Sequence, residues 1–431
     1  MTEPVDACLC PAYDEWVLEA DGIRAVCLYG RHAGEIDAIK RNDLLVATDE
    51  EGGDVTRLHY RDGSPAPGNL ALGFVDDVEL TQRVAGAIAG ELAAAGVNWN
   101  LAPVADVNSD PENPVIGVRS FGSDPELVAR HVQAFVEGTQ AQGVAACAKH
   151  FPGHGATRAD SHRELPVSAS YVLEPFAAAV DAGVRSVMTA HVVYPELDDL
   201  PATLSPRAIR LLRDDLGFDG VIVTDALDMG AVRAIPGLAV RALAAGVDLL
   251  LIGEQNGEEA CAAIRSAVVQ AVRAGDLTWT RIEQAAERVA RLASSVSPLA
   301  VDEPLERVGL DAARRALRVR GELPLREPPF VVELRADTNP AVGEAHWSLA
   351  EPLSELDFLA GIGESRPLVV ACRDAYRHEW QREWIRRAQP DVLVALGMPD
   401  DCELAPRAFI AAYGAGRANT TAAAHALRGS L

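Results

Sequence analysis

Short apolar runs alternate with longer amphipathic stretches through the first 300 residues of the chain. The runs fall at 24–29 (RAVCLY), 43–48 (DLLVAT), 97–102 (VNWNLA), 144–149 (VAACAK), 184–190 (VRSVMTA), 219–224 (DGVIVT) and 247–252 (VDLLLI). Several are apolar at successive positions, so both faces of the strand must be covered, as in a parallel sheet lying under helices. Between the runs, helical patterning predicts helices over 78–95, 125–141, 171–182, 205–215, 237–245, 257–274 and 279–294. Alternation of this length predicts an α/β fold built on a TIM-like (β/α) barrel. The first two runs leave little room for a helix between them, so the start of the barrel is expected to be irregular. Seven strands are clear; an eighth is expected in the weak segment near 5–10 or not at all.

Residues 298–328 are rich in Pro, Glu and Arg and read as a linker with one short helix, Asp311–Val319. Four further runs follow, at 329–334 (PFVVEL), 367–372 (PLVVAC), 391–396 (DVLVAL) and 407–413 (RAFIAAY). The expected division is a catalytic barrel over 1–297, a linker over 298–328 and a small α/β domain over 329–431.

Composition narrows the partners. A net charge of −24, with no basic cluster longer than Arg-Arg, disfavours nucleic acid and anionic membranes as ligands. No apolar run reaches transmembrane length. The stretch MTEPVDACLCPAYDEW lacks a basic start and an apolar core, so it does not read as a secretory signal, and cytoplasmic residence is expected. The 7 cysteines are scattered, without disulfide or zinc spacing, and are expected to be reduced. Among 39 basic residues only Lys40 and Lys149 are lysines. Lys40 falls on an expected surface helix; Lys149 stands at a strand end, where a compact ammonium does what a guanidinium cannot.

In a (β/α) barrel, chemistry gathers at the C-terminal ends of the strands. Reading onward from each run gives Asp49, Glu50 and Glu51; then Pro103 and Asp106; then Lys149 and His150; then His191; then Asp225. Each alone reads as a solvated loop residue, but ionisable groups at the same end of five strands describe a site. The segment KHFPGHGATRADSHRELP (149–166) adds His154 and His162. Four-residue spacing of His150 and His154 resembles a zinc-binding helix, but Pro152 and Gly153 would break that helix. Asp160 and His162 share a face of an extended chain. A carboxylate beside a histidine fixes its tautomer and favours the imidazolium, a competent general acid. Asp225 at a strand end suits attack on an anomeric carbon; an N-cap role is the alternative, better filled by Asp228.

Taken in order, TDEEGGDVTR, LAPVADV, NPVIGVRSFGSDP, KHFPGHG, ADSH, MTAHVVYPELDDLPATLS and VIVTDALDMG resemble glycoside hydrolase family 3, and most its bacterial β-N-acetylglucosaminidase branch of the two-domain type, over about residues 20–295. The resemblance implies Asp225 as nucleophile and His162, partnered by Asp160, as acid/base. It implies sugar contacts from Asp49, Arg57, Arg119, Lys149 and His150, and His191 is placed with them as substrate-binding. It implies no metal or organic cofactor. The expected substrate is a small glycoside or muropeptide, a cell-wall fragment bearing terminal N-acetylglucosamine on anhydro-N-acetylmuramic acid, cleaved with retention.

Two departures stand out. Asp54 replaces the arginine that usually follows E-G-G, which puts one structural contact in doubt. Ala226 and Asp228 replace an aspartate and a serine, leaving Asp225 the aspartate adjacent to the strand. Because neutral imidazole does not repel phosphate, a phosphorylase giving N-acetylglucosamine 1-phosphate is the alternative to hydrolysis. A β-glucosidase would recruit a carboxylate acid from outside the D-S-H loop, and a non-catalytic sugar-binding protein would have lost Asp225 or His162. The C-terminal half carries no motif with a catalytic role; within 412–429, Arg417 or Asn419 could reach the barrel mouth, but a turn and helix start is the plainer reading.

Overall fold

Eight parallel strands close on themselves in the N-terminal part of the chain. The computed structural model describes residues 3–30, 44–253, 257–299, 303–323, 325–336, 340–343, 345–354 and 366–429. The strands are β1 (Leu9–Cys10), β2 (Ala25–Leu28), β3 (Leu45–Thr48), β4 (Trp99–Asn100), β5 (Ala145–Phe151), β6 (Ser186–Thr189), β7 (Val221–Thr224) and β8 (Leu250–Leu251). From β2 to β7 they pair in chain order. A parallel bridge from Val223 to Leu249 brings in β8, which pairs with β1, and a bridge from Ala12 to Cys27 returns the ring to β2. The weak segment near 5–10 therefore does supply the eighth strand. Residues 31–43, between β2 and β3 and including Lys40, lie outside the described residues.

Side-chain alternation separates two layers. Ala25, Cys27, Leu45, Ala47, Val221 and Val223 gather with Trp99 in one buried cluster. The intervening Val26, Leu28, Val46 and Ile222 pack in another, against the helices. Trp99 fills the lumen, and its indole N–H donates to Ser186 Oγ at 2.8 Å, so its one polar atom is satisfied. The helices start where capping residues stand: Asp77 before Val78–Ala94, Asp124 with Pro125 before Pro125–Ala141, and Thr278 before Trp279–Ser295. Trp279–Ser295 buries Ile282, Ala285, Val289 and Leu292, a stripe at helical spacing. Each large aliphatic there contributes about 1.5–3 kcal/mol by leaving water, so a charge at Val289 would strip this helix from the barrel.

The C-terminal sheet runs β9 (Arg318–Arg320), β13 (Ala408–Ala411), β12 (Val392–Ala395), β11 (Leu368–Cys372), β10 (Phe330–Leu334). The last four are mutually parallel and match the apolar runs; β9 is an antiparallel edge. Hydrophobic pattern could not announce β9, because Arg-Val-Arg is exposed at all three positions and lies over Phe409 through its guanidinium groups.

The expected short helix Asp311–Val319 is corrected. The helix is Leu305–Ala316, and Val319 belongs to β9. It buries Leu305, Val308, Ala312, Ala313 and Ala316 and bridges barrel and C-terminal sheet, so this part of the proline-rich stretch is packed structure. Gly309 lies mid-helix for a steric reason: a Cβ there would sit 2.0 Å from the Pro65 carbonyl oxygen.

Direct contacts then fasten the C-terminal unit to the barrel mouth. Asp54 pairs with Arg373 at 2.6 Å and accepts the Ala415 N–H at 2.7 Å. Tyr376 donates to Pro111 O at 2.9 Å, and Arg377 to Asn113 O at 3.0 Å. The departure at Asp54 thus has a structural outcome: an acid where the family carries a base, answered by an arginine after β11.

Candidate active site

A cavity of about 570 Å³ opens at the C-terminal ends of the barrel strands. Asp49, Arg57, Arg119, Lys149, His150, His162 and Asp225 all line it. Parallel strands dictate this gathering, since each delivers the residue after it to the same end.

One wall is a buried charge cluster. Lys149 at the end of β5 places its ammonium 2.6 Å from Asp49 and 2.7 Å from Glu51. Arg119 grips Glu51 with two nitrogens, at 2.8 and 3.0 Å, and donates to Val115 O at 3.1 Å. Burial works against the charge on Glu51, but Arg119 and Lys149 outweigh it and hold the carboxyl well below the usual range. Burial likewise opposes the Lys149 ammonium, and Asp49 and Glu51 overcome it, raising its pKa. A point charge with three donors fits between two carboxylates, which accounts for the one lysine kept here by a chain that otherwise uses arginine.

Glu50 faces away from the cavity. Its carboxylate accepts the Arg57 and Leu58 N–H groups at 2.8 and 3.0 Å, folding the loop that carries Arg57. Arg57 lies 4.0 Å from Asp49 and donates to Ala341 O at 2.8 Å. Pro340, Ala341 and Gly343 of the C-terminal unit complete that wall.

Behind the cavity, Asp106 is fully buried. Its carboxylate meets His150 Nδ1 at 2.7 Å and accepts the N–H groups of His150 and His154 at 3.2 and 2.6 Å. Burial pushes against its ionisation; His150 more than compensates, so its pKa is lowered. His150 and His154 do not share a helix: one ends a strand, and the other lies in the loop beyond it.

Asp225 follows β7 directly and accepts the Ala226 N–H at 2.8 Å. Burial would raise its carboxyl, but the imidazoles of His150, His191 and His162 hold it below the ordinary value, so it is anionic at neutral pH. The next helix, Leu238–Ala245, starts behind Gly237, so neither Asp225 nor Asp228 caps it. Opposite stands the D-S-H loop: His162 Nδ1 lies 2.7 Å from Asp160 Oδ1, and the ring is about a quarter exposed at 24%. Asp160 thus engages Nδ1, and Nε2 is the other ring nitrogen, on a side chain that lines the cavity.

The substrate-binding assignment of His191 is corrected. It is fully buried and does not line the cavity. Its Nδ1 meets Thr203 at 2.7 Å and its Nε2 donates to the Ala226 carbonyl at 3.1 Å, so it props the Asp225 turn from behind. Arg417 and Asn419 are also turned elsewhere, to Glu306 and Ala412 O, in the helix Arg417–Arg428.

Reading strand ends found Glu51 and Asp106 as positions without giving them a role. Tyr29, Tyr60 and Ser161, which also line the cavity, and the 340–343 segment went unassigned. Tyr29 directly follows β2, so that rule could have found it. Ala341 acts through its carbonyl, which leaves no side-chain signal.

The glycosyl hydrolase family 3 N-terminal domain model matches residues 34–292. β-Hexosaminidase A of Pseudoalteromonas piscicida is 39% identical over 238 residues, 48% of this chain and 40% of that protein, so the match spans less than half of that relative. The β-hexosaminidase of Xylella fastidiosa (strain M23) is 38% identical over 265 residues, 55% of this chain and 78% of the relative. The solved glycoside hydrolase family 3 β-N-acetylglucosaminidase from Paenibacillus sp. str. FPU-7 superposes with a TM-score of 0.89 at 30% identity, covering 100% of this chain and 97% of that one. With a family model matching more than half of its length, the chain belongs to glycosyl hydrolase family 3.

Proposed function

We propose that this chain is a retaining β-N-acetylglucosaminidase that removes a terminal β-linked N-acetylglucosamine. One observation carries the reading: an anionic Asp225 and His162, the latter paired with Asp160, line the same cavity beside a set of charged and polar side chains. Asp225 attacks the anomeric carbon as the bond to the leaving oxygen breaks, and His162 Nε2 gives that oxygen its proton. A glycosyl-aspartate results. His162, now neutral, takes a proton from water, which attacks the anomeric carbon and releases Asp225. Asp160 keeps Nδ1 engaged and stays anionic itself: burial opposes this, and the His162 contact prevails. Asp49, Arg57, Arg119, Lys149 and His150 bind hydroxyl and acetamido groups.

The substrate in this reading is a cell-wall fragment, a muropeptide with N-acetylglucosamine on anhydro-N-acetylmuramic acid, taken up during peptidoglycan recycling in the cytoplasm. No helix among the described residues is long and apolar enough to cross a membrane. Product analysis on an aryl β-N-acetylglucosaminide, with and without phosphate, tests the reading. Free N-acetylglucosamine at a phosphate-independent rate is expected. Sugar 1-phosphate formed only with phosphate would make the protein a phosphorylase, and turnover of the glucoside alone would overturn the sugar assignment.

A further inference from the structure

We propose that His154 and Ser161 are positioning residues that clamp the loop bearing His162, and that the clamp extends through Asn113 to Arg377 of the C-terminal unit. The inference rests on the reading of His162 as acid/base.

His154 is buried, and both its ring nitrogens are engaged: Nδ1 with Thr157 Oγ1 at 2.8 Å and Nε2 with Ser161 Oγ at 3.0 Å. The Thr157 hydroxyl also reaches the His154 carbonyl at 3.0 Å. A carbonyl only accepts, so the hydroxyl donates to it and accepts from Nδ1–H. Nε2 is then an acceptor, and Ser161 donates to it. Burial pushes the His154 pKa down to about 4, so the ring is neutral and this polarity persists at working pH.

Ser161 lies between the two members of the dyad, so whatever fixes it fixes them. Its side chain is held by His154; its carbonyl accepts the Ala231 N–H at 3.1 Å, and the His162 carbonyl accepts the Gly230 N–H at 3.0 Å. Those two amides belong to the turn after Asp225, so the acid/base loop is pinned to the nucleophile's own loop. Gly230 allows the approach: a Cβ there would lie 2.4 Å from Arg163 O and 2.7 Å from His162 O. On the far side, Asn113 Nδ2 donates to the His154 carbonyl at 2.9 Å, and the Asn113 carbonyl accepts from Arg377 at 3.0 Å. His162 lines the cavity, with its loop docked at three points.

A proton donor out of place slows the first, bond-breaking step only where the leaving group needs the proton, and that step is read as kcat/KM. The test compares a methyl β-N-acetylglucosaminide, whose leaving group must be protonated, with the 2,4-dinitrophenyl glycoside, whose leaving group need not be. Ser161→Ala and His154→Leu are expected to lower kcat/KM on the methyl glycoside by about tenfold to a hundredfold, the scale of a misplaced catalytic group. On the dinitrophenyl glycoside kcat/KM of the same variants should stay within about twofold, whereas kcat there also reports the slowed hydrolysis of the glycosyl-enzyme. His154→Gln, whose amide oxygen can accept from Ser161, should recover most of the loss relative to His154→Leu. His162→Ala is run alongside. If it fails to discriminate between the substrates, the acid/base reading falls and this inference with it. If His162→Ala discriminates but Ser161→Ala slows both substrates equally, or neither, the positioning role is overturned while the acid/base reading stands. Should His154→Leu not fold, Ser161→Ala alone decides.

Discussion

The two sides of the cavity are built on different principles. Asp49, Glu51, Lys149 and Arg119 form a buried lattice of full charges whose members neutralise one another. The D-S-H side is partly exposed at His162 and is held by neutral hydrogen bonds donated by the Gly230 and Ala231 amides and accepted by His154. A sugar ring needs partners that do not move, because each hydroxyl contact is made only at fixed geometry. The loop carrying His162 is fixed instead by several bonds worth about 0.5–1.5 kcal/mol each, so losing one costs little stability. On this view, damage to the charged side costs stability and binding, and damage to the other side costs rate.

The largest expected effect falls where the sides meet. Asp225→Ala should lower kcat by about 10⁴-fold or more, the scale seen when a member of a catalytic unit is removed, with little change in thermal stability. His162→Ala comes next: a loss of about 10²–10⁴ on alkyl glycosides, read as kcat/KM, that shrinks as the leaving group improves. On the charged side, Glu51→Gln leaves buried Arg119 without its counter-ion and Lys149 with Asp49 alone. Its folding free energy, measured by urea unfolding, should fall by about 3–5 kcal/mol, and KM should rise. Ser161→Ala should leave the same unfolding curve nearly unmoved, and equal destabilisation by the two variants would erase the contrast.

The smallest effect is in pH. Glu51 and Asp106 are depressed in the folded state, so their contribution is present above the ordinary carboxylate range and is lost as pH falls through their folded values. Glu51→Gln should therefore flatten the acid limb of stability against pH. Ser161→Ala should keep the parent's limb, since it removes no charge.

Most of the barrel is legible in the sequence because a covered parallel strand must be apolar at consecutive positions, and VIVT or LLVAT admits few other readings. The site is legible for a related reason: parallel strands convert position in the chain into position at one mouth. What escapes detection obeys neither rule. β9 is polar and earns its place by pairing and by guanidinium packing on Phe409. Helix Leu305–Ala316 hides in a Pro- and Arg-rich stretch, with a glycine required by the approach of Pro65. His191 follows a strand as the others do, yet points behind Asp225, because a strand-end residue can support a site as readily as face it. Asp106 and His154 are tied by hydrogen bonds to His150 and Ser161, and spacing shows proximity but not who holds whom.

The central claim is that Asp225 itself takes the sugar, and the most direct measurement is intact-protein mass spectrometry of His162→Ala mixed with the 2,4-dinitrophenyl β-N-acetylglucosaminide. Without its base, the enzyme should form the glycosyl-enzyme quickly and hydrolyse it slowly. A mass increase of one N-acetylhexosamine residue, mapped by peptide sequencing to Asp225, is the predicted result. Rapid release of dinitrophenol with no adduct, or an adduct on another residue, would contradict the account.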